Sequence, residues 1–336
     1  MTAQNSIVRG PHAARSKLLC RVFIAATVAA VFVGAAGCGD AGQGAPNKTR
    51  QTPADGRADW PDPIRFGLVP TEGGADTRRR FAHLRQQLTA SLDARVKLVS
   101  ASSYQGVITA MANDQIEFAW LGPKSYIEAA RRAKAEALLI ELNTEGQPGY
   151  HGLFIVPANS PIDSIEDAEG ADFAFTDPNS TSGFLIPSTV LFDEVGEAAE
   201  SFFGDVRFSG AHGTSILQVA AGELDIAATN DLDMAKMLDK GAIRRSDVKV
   251  IYQSDLIPGS PIAARRDVPE SLKTAVVEAM LDLNDHPEVL AELQNGGYAR
   301  VDDAKYDIIR ATQRFLENQR ARAETNDPAG VERADP

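Results

Sequence analysis

Ser180-Thr181-Ser182 are three consecutive hydroxyl residues, and adjacent O–H donors suit an oxyanion. They follow Phe173-Ala174-Phe175, an apolar run that predicts a buried strand, and the turn Asp177-Pro178-Asn179. Behind them, Phe184-Leu185-Ile186 and Val190-Leu191-Phe192 recur at helical spacing. The hydroxyls therefore fall at a helix start, where backbone N–H groups lack carbonyl partners and the dipole is positive. O–H and N–H donors converge there on one anionic group. Ser and Thr at such a place are also ordinary helix caps, and read alone the stretch favours capping.

The elements that must position these hydroxyls form a repeating strand–helix pattern. Strands are predicted at 64–70, 96–99, 116–121 and 137–142, with helices at 76–92, 104–111 and 126–133 between them. An apolar strand at 150–156 ends at Pro157. The pattern then restarts with strands 173–175, 206–208, 225–228 and 248–252. The last third reads as helices at 269–283, 287–293 and 303–320. This predicts an α/β fold, a two-lobed clamshell in which each lobe is a mostly parallel sheet flanked by helices. Lobe 1 would hold 64–156 and 257–322, lobe 2 would hold 157–256, and crossings would fall near Val156 and near Tyr252 to Ile257. In such sheets ligands bind beyond the carboxyl ends of strands. Thr71, Trp120 to Gly122, Thr176 to Ser182 and Thr229-Asn230 stand at those ends.

The ends of the chain predict an exported lipoprotein. Arg9, Arg15, Lys17 and Arg21 precede an apolar run from Val22 to Ala36, which is short for a membrane span. Ala35-Ala36-Gly37-Cys38 resembles a lipobox, with Cys38 as the acylated residue behind a signal of residues 1–37. Residues 38–63 read as a flexible tether and 323–336 as a disordered tail. The formal charge is −12, and loss of the four basic residues of the signal would leave −16. So acidic a chain excludes non-specific nucleic-acid binding, and an anion must be held by local donors. Of the two cysteines, Cys20 leaves with the signal, so no disulfide is expected. The five histidines show no metal-ligand spacing, and no Walker or Rossmann fingerprint occurs; no metal and no cofactor are expected.

Further segments join the hydroxyl stretch in a fixed order: Trp120-Leu121-Gly122-Pro123-Lys124-Ser125, Pro148-Gly149-Tyr150, and Asp177 through Pro187. After them come Gly210-Ala211-His212, Gly222-Glu223-Leu224-Asp225 and Leu256-Ile257-Pro258-Gly259-Ser260-Pro261. From about Ile64 to Arg320 the chain resembles the phosphonate/phosphite/phosphate substrate-binding proteins of ABC importers, which have the type 2 periplasmic-binding-protein fold. The resemblance implies that Ser180, Thr181, Ser182 and His212 hold the phosphorus-bound oxygens, with His212 donating. It implies that Tyr104 and Tyr150 close over the ligand from lobe 1. Family members that take aminoethylphosphonate carry acids where this chain has Leu232 and Ser260. Asp231 and Asp233 flank Leu232, but a one-residue step on a helix turns a side chain by about 100°. An uncharged-tail phosphonate, phosphite or phosphate is therefore expected. The implied partners are an ABC permease and ATPase, with the protein a lipid-anchored, extracytoplasmic monomer. A ligand-sensing lipoprotein is the alternative. A serine hydrolase fits less well, because Asn-Ser-Thr-Ser-Gly is not Gly-x-Ser-x-Gly and the acids that could orient His212, Asp177 and Asp225, are candidates by sequence only.

Overall fold

The computed structural model describes residues 56–326. In chain order its strands are β1 (Ile64–Leu68), β2 (Val96–Ser100), β3 (Phe118–Trp120), β4 (Ala135–Leu142), β5 (Gly149–Pro157) and β6 (Asp172–Phe175). They continue with β7 (Asp205–Phe208), β8 (Ile226–Asn230), β9 (Val248–Pro258), β10 (Pro261–Arg265) and β11 (Gly297–Arg300). Among the described residues they form two sheets, ordered β11-β4-β10-β3-β1-β2 and β7-β6-β8-β5-β9. Helices flank both, which gives the expected two-lobed α/β clamshell.

The sheets are mixed, not mostly parallel. In the first, β1 pairs in parallel with β2 and β3, whereas β10 runs antiparallel to β3 and β4, and β11 antiparallel to β4. In the second, β6 is parallel to β7 and β8, whereas β5 is antiparallel to β8 and β9. The departures have one cause. A parallel return needs a crossover, usually a helix. Both β5 and β10 follow a strand of the other sheet with no helix between, so each enters its own sheet against the prevailing direction. β10 then separates β3 from β4, and neither β10 nor β11 is recognisable as a strand in the helix-rich last third of the sequence.

The same pairing moves the crossings. β5 stays in register with β9 from Gly149↔Pro258 to Pro157↔Val248, so both belong to the second sheet. The chain changes sheet between Leu142 and Gly149, not near Val156, and again between Pro258 and Pro261, just past the expected Tyr252 to Ile257.

Packing follows the sheets. Phe66, Leu68, Phe118, Trp120, Leu272, Val276 and Met280 share the core of the first, joined by the helix Glu270–Asp282. The second is covered on both faces, by Phe154, Phe173 and Phe175 on one and Leu153, Ile155 and Ile216 on the other. A smaller cluster of Tyr150, Leu185, Ile257, Ile309 and Leu316 ties the last helix, Asp307–Asn326, to the hinge strands. That helix continues into the stretch read as tail. The end of the expected tether is also docked: Trp60 packs against the first core, and its indole N–H donates to Ser271 Oγ at 3.0 Å. Cys38 and the signal lie outside the described residues.

Candidate functional site

The hydroxyl stretch sits directly after β6 and begins not an ordinary helix but a π-helical turn, Thr181–Leu185. Leu185 N donates to Ser180 O at 3.2 Å, a five-residue step, so the N–H groups of Thr181 and Ser182 find no carbonyl within their own turn. Single π turns recur at functional sites. Ser180 caps the turn, its Oγ accepting from Gly183 N at 3.0 Å. Glycine is required at 183 by close approach: a Cβ there would lie 2.3 Å from Thr176 Oγ1. Capping and display of donors thus belong to the same three residues.

These hydroxyls face a cavity of about 30 Å³ between the two sheets, room for a few heavy atoms. From the second sheet's side it is lined by Ser180, Thr181, Ser182, His212, Leu232 and Tyr150, and from the first by Tyr104, Ser260, Thr71 and Trp120. All eight residues singled out from the sequence within the described part of the chain come together here. Tyr150 is the one on the unexpected side, because it opens β5 and β5 belongs to the second sheet.

The two sides touch around the cavity. Thr181 Oγ1 accepts from Lys124 N at 2.9 Å, and Ser125 Oγ donates to Asn179 O at 2.9 Å. Gly213 N donates to Thr71 O at 3.2 Å, and Tyr104 N donates to Asp177 Oδ2 at 3.3 Å. The site is therefore closed. Ser180, Thr181, Ser182, Tyr104 and His212 are each no more than 2% exposed.

Closure leaves hydrogen-bonding capacity directed at the cavity. Among the described residues Thr71 Oγ1 is buried with no hydrogen-bond partner, and Tyr104 Oη, which comes near Ser180, forms no well-aligned hydrogen bond. Such orphans are uncommon, and each costs about 1–3 kcal/mol unless something answers it. Tyr150 reaches Ser182 and Thr181. Burial pushes both phenols well above their ordinary pKa, so both stay protonated and able to donate.

His212 opens the helix His212–Ala220. Its Nδ1 lies 3.3 Å from Thr176 Oγ1 and 3.2 Å from Thr229 Oγ1, and its Nε2 lies 3.3 Å from Ser180 Oγ. Thr176 Oγ1 donates to Ala228 O, so it accepts from Nδ1–H, and Nε2 is then the acceptor for the Ser180 hydroxyl; in this arrangement His212 holds Ser180 and does not, as was expected of it, donate to the cavity. Burial pulls the imidazole down to about 4, so at neutral pH it is uncharged. No carboxylate orients it; its partners are hydroxyls, which is not the wiring of a catalytic triad.

Two lining residues escaped the sequence reading. Asp233 and Lys236 follow Leu232 on the helix Asp231–Asp239, and both are buried. Asp233 was expected to turn away from Leu232's side. It faces the cavity because Asn230, Asp233 and Lys236 are spaced three apart and share a face. Asn230 Oδ1 accepts from Asp233 N at 2.7 Å, Asn230 Nδ2 donates to Asp233 Oδ2 at 2.8 Å, and Lys236 Nζ lies 3.3 Å from Asp233 Oδ1. Burial pushes Asp233 up, but Lys236, His212 and the Asn230 hydrogen bond outweigh it, and the carboxyl stays below its usual range. Asp231 does turn aside, accepting from His151 N at 3.0 Å.

The family model for periplasmic substrate-binding proteins of ABC phosphonate transporters matches residues 66–306. The phosphonates-binding periplasmic protein of Escherichia coli K12 is 31% identical over 70% of this chain and 70% of its own length. The phosphate-import protein PhnD of Mycolicibacterium smegmatis is 31% identical over 68% of this chain and 74% of its own. Among solved structures, the binding component of an ABC phosphonate transporter from Pseudomonas aeruginosa superimposes with a TM-score of 0.73 at 29% identity, covering 77% of this chain and 88% of that one. The ordered motifs, the two-lobed fold and these matches agree: this chain belongs to the phosphonate-type periplasmic substrate-binding proteins of ABC transporters.

Proposed function

We propose that the protein captures a small phosphorus oxyanion, a phosphonate, phosphite or phosphate, in the cavity between its two sheets and presents it to an ABC permease. The observation that carries this reading is the pair of buried hydroxyls without a well-aligned partner, Tyr104 Oη and Thr71 Oγ1, opposite the hydroxyls of Ser180 to Ser182. Donors from both sheets converge on a volume that suits one tetrahedral group. Hydrogen bonds to a charged group contribute about 1.5–3 kcal/mol each, and several suffice to offset dehydration of a small anion. The second sheet's hydroxyls bind first, and closure brings Tyr104 and Thr71 across and excludes water.

Leu232 and Ser260 favour an uncharged tail or none, and Asp233 is already paired with Lys236 and so is a poor counter-charge for an ammonium. Acylation at Cys38 would hold the protein on the extracytoplasmic face of the membrane; palmitate labelling that is lost in Cys38→Ser tests the anchor. Calorimetry with methylphosphonate, phosphite, phosphate and aminoethylphosphonate tests the ligand. We expect the first three to bind and the amino compound to bind weakest. Tightest binding by aminoethylphosphonate overturns the reading of Leu232 and Ser260, and no binding by any of the four overturns the oxyanion reading.

A further inference from the structure

The cavity wall is close to neutral. Its charged members are Lys236 and Asp233, which face each other at 3.3 Å. His212 brings no charge at neutral pH, and the two tyrosines are phenols. Behind the wall two cations share one carboxylate: Arg80 Nε lies 2.7 Å from Glu72 Oε1, and Lys240 meets the same Glu72. A ligand in this cavity therefore meets one ammonium already shared with a carboxylate. The desolvation cost of an ion grows with the square of its charge, so a dianion costs roughly four times what a monoanion does. Asp233 is moreover an acceptor in a wall built largely of donors, and a deprotonated oxygen set against it would repel it.

We propose that Asp233, held by Lys236 and Asn230, makes the cavity selective for the singly charged form of its ligand, whose remaining P–OH donates to the Asp233 carboxylate. The proposal rests on the phosphorus-oxyanion reading above and adds what that reading lacks, a protonation state and a reason for refusing related anions. A sulfonate has the same shape and charge as a phosphonate monoanion but no proton to donate, so it leaves Asp233 facing an oxygen lone pair. A ligand that arrives as the dianion takes up one proton on binding.

The groups facing Asp233 are Lys236 on its own helix, His212, Tyr104, Tyr150 and Arg80. Asp233 stays ionised, His212 neutral and both phenols protonated between about pH 6 and pH 8.5. A pH dependence of affinity across that range is then the ligand's own.

The test is calorimetry of methylphosphonate binding from about pH 6 to pH 8.5, in two buffers of different ionisation enthalpy, with methanesulfonate beside it. The expected result is constant affinity while methylphosphonate is a monoanion, then a loss of about 10-fold per pH unit above its second ionisation with near one proton taken up per ligand. Methanesulfonate gives no binding heat. Asp233→Asn flattens the profile and admits methanesulfonate, because an amide donates where the carboxylate only accepts. Affinity that is flat or rising through the range without proton uptake, or tight methanesulfonate binding by the unmodified protein, overturns the proposal. These wild-type measurements decide even if the variant does not fold. Methylphosphonate binding without the pH slope sinks this proposal alone, whereas no binding of methylphosphonate, phosphite or phosphate at any pH sinks the oxyanion reading together with it.

Discussion

The two walls of the cavity are built differently. On the second sheet's side nearly every polar group is already engaged by its own neighbours: Ser180 with Gly183 and His212, Ser182 with Asn230, Asn230 with Asp233, and Asp233 with Lys236. On the first sheet's side Thr71 Oγ1 and Tyr104 Oη form no well-aligned hydrogen bond among the described residues, although Tyr104 comes near Ser180. The first kind of wall is rigid before a ligand arrives, since each side chain is held by the fold. The second kind carries buried donors whose cost is relieved only by a ligand. The contrast assigns the second sheet's wall the role of template and the first sheet's wall the role of lid.

Substitutions on the two walls should then fail in different ways. Ser182→Ala removes a template hydroxyl that contacts both Asn230 and Tyr150. Loss of a hydrogen bond to a charged group costs about 2–3 kcal/mol, so calorimetry should show binding weakened roughly 30- to 150-fold. A loss under about 3-fold would mean that the hydroxyl only caps the turn.

The template should also carry a pH signature that the lid lacks. His212 titrates near 4 in the folded protein, against about 6.5 when unfolded. Between those values the unfolded chain binds more protons, so folding stability is complete above about pH 6.5 and falls as pH drops toward 4. The shift corresponds to a loss of about 3 kcal/mol. Chemical denaturation at several pH values should show it, and His212→Gln should remove most of the slope; an unchanged slope would place the acid sensitivity elsewhere.

Tyr104→Phe probes the lid. It removes an orphan hydroxyl and keeps the ring, so affinity should fall about 10-fold while the ligand-free melting temperature stays level or rises. A variant destabilised like a template variant would erase the distinction between the walls.

How far this division was legible in the sequence depends on the kind of signal. Ser180-Thr181-Ser182 and His212 were legible because local pattern places them at helix starts, and helix starts face the cleft in any such sheet. The side of the cleft was not always legible: Tyr150 lies in a strand whose sheet is decided by pairing with residues about a hundred positions later, at Ile257. β10 was hidden for a related reason, since Pro261–Arg265 is five residues long and owes its place to β3 and β4. Asp233 and Lys236 left a trace, Asn230-x-x-Asp233-x-x-Lys236, which reads as a cap followed by a surface ion pair. Only the fold reveals that this helix start is buried and that the pair lines the cavity.

The smallest effect should come from the rim, where lid and template meet outside the cavity. Glu72, on the first sheet's side, has a carboxylate only 2% exposed that pairs with Arg80 beside it and with Lys240 on the other side. Lys240 is 43% exposed, so water screens its side of the pair and the link contributes only about 0.2–1 kcal/mol. Lys240→Ala should leave every ligand-contacting group in place and weaken the closed state alone. Binding should then loosen by about 1.5- to 5-fold, with the loss in the dissociation rate and shrinking further in high salt. Arg80 holds Glu72 in either variant or native protein, so no buried charge is stranded and melting of the ligand-free protein should hardly move. A loss as large as that of Ser182→Ala would mean that Lys240 belongs to the template, and that closure depends on charge at the rim more than on donors within the cavity.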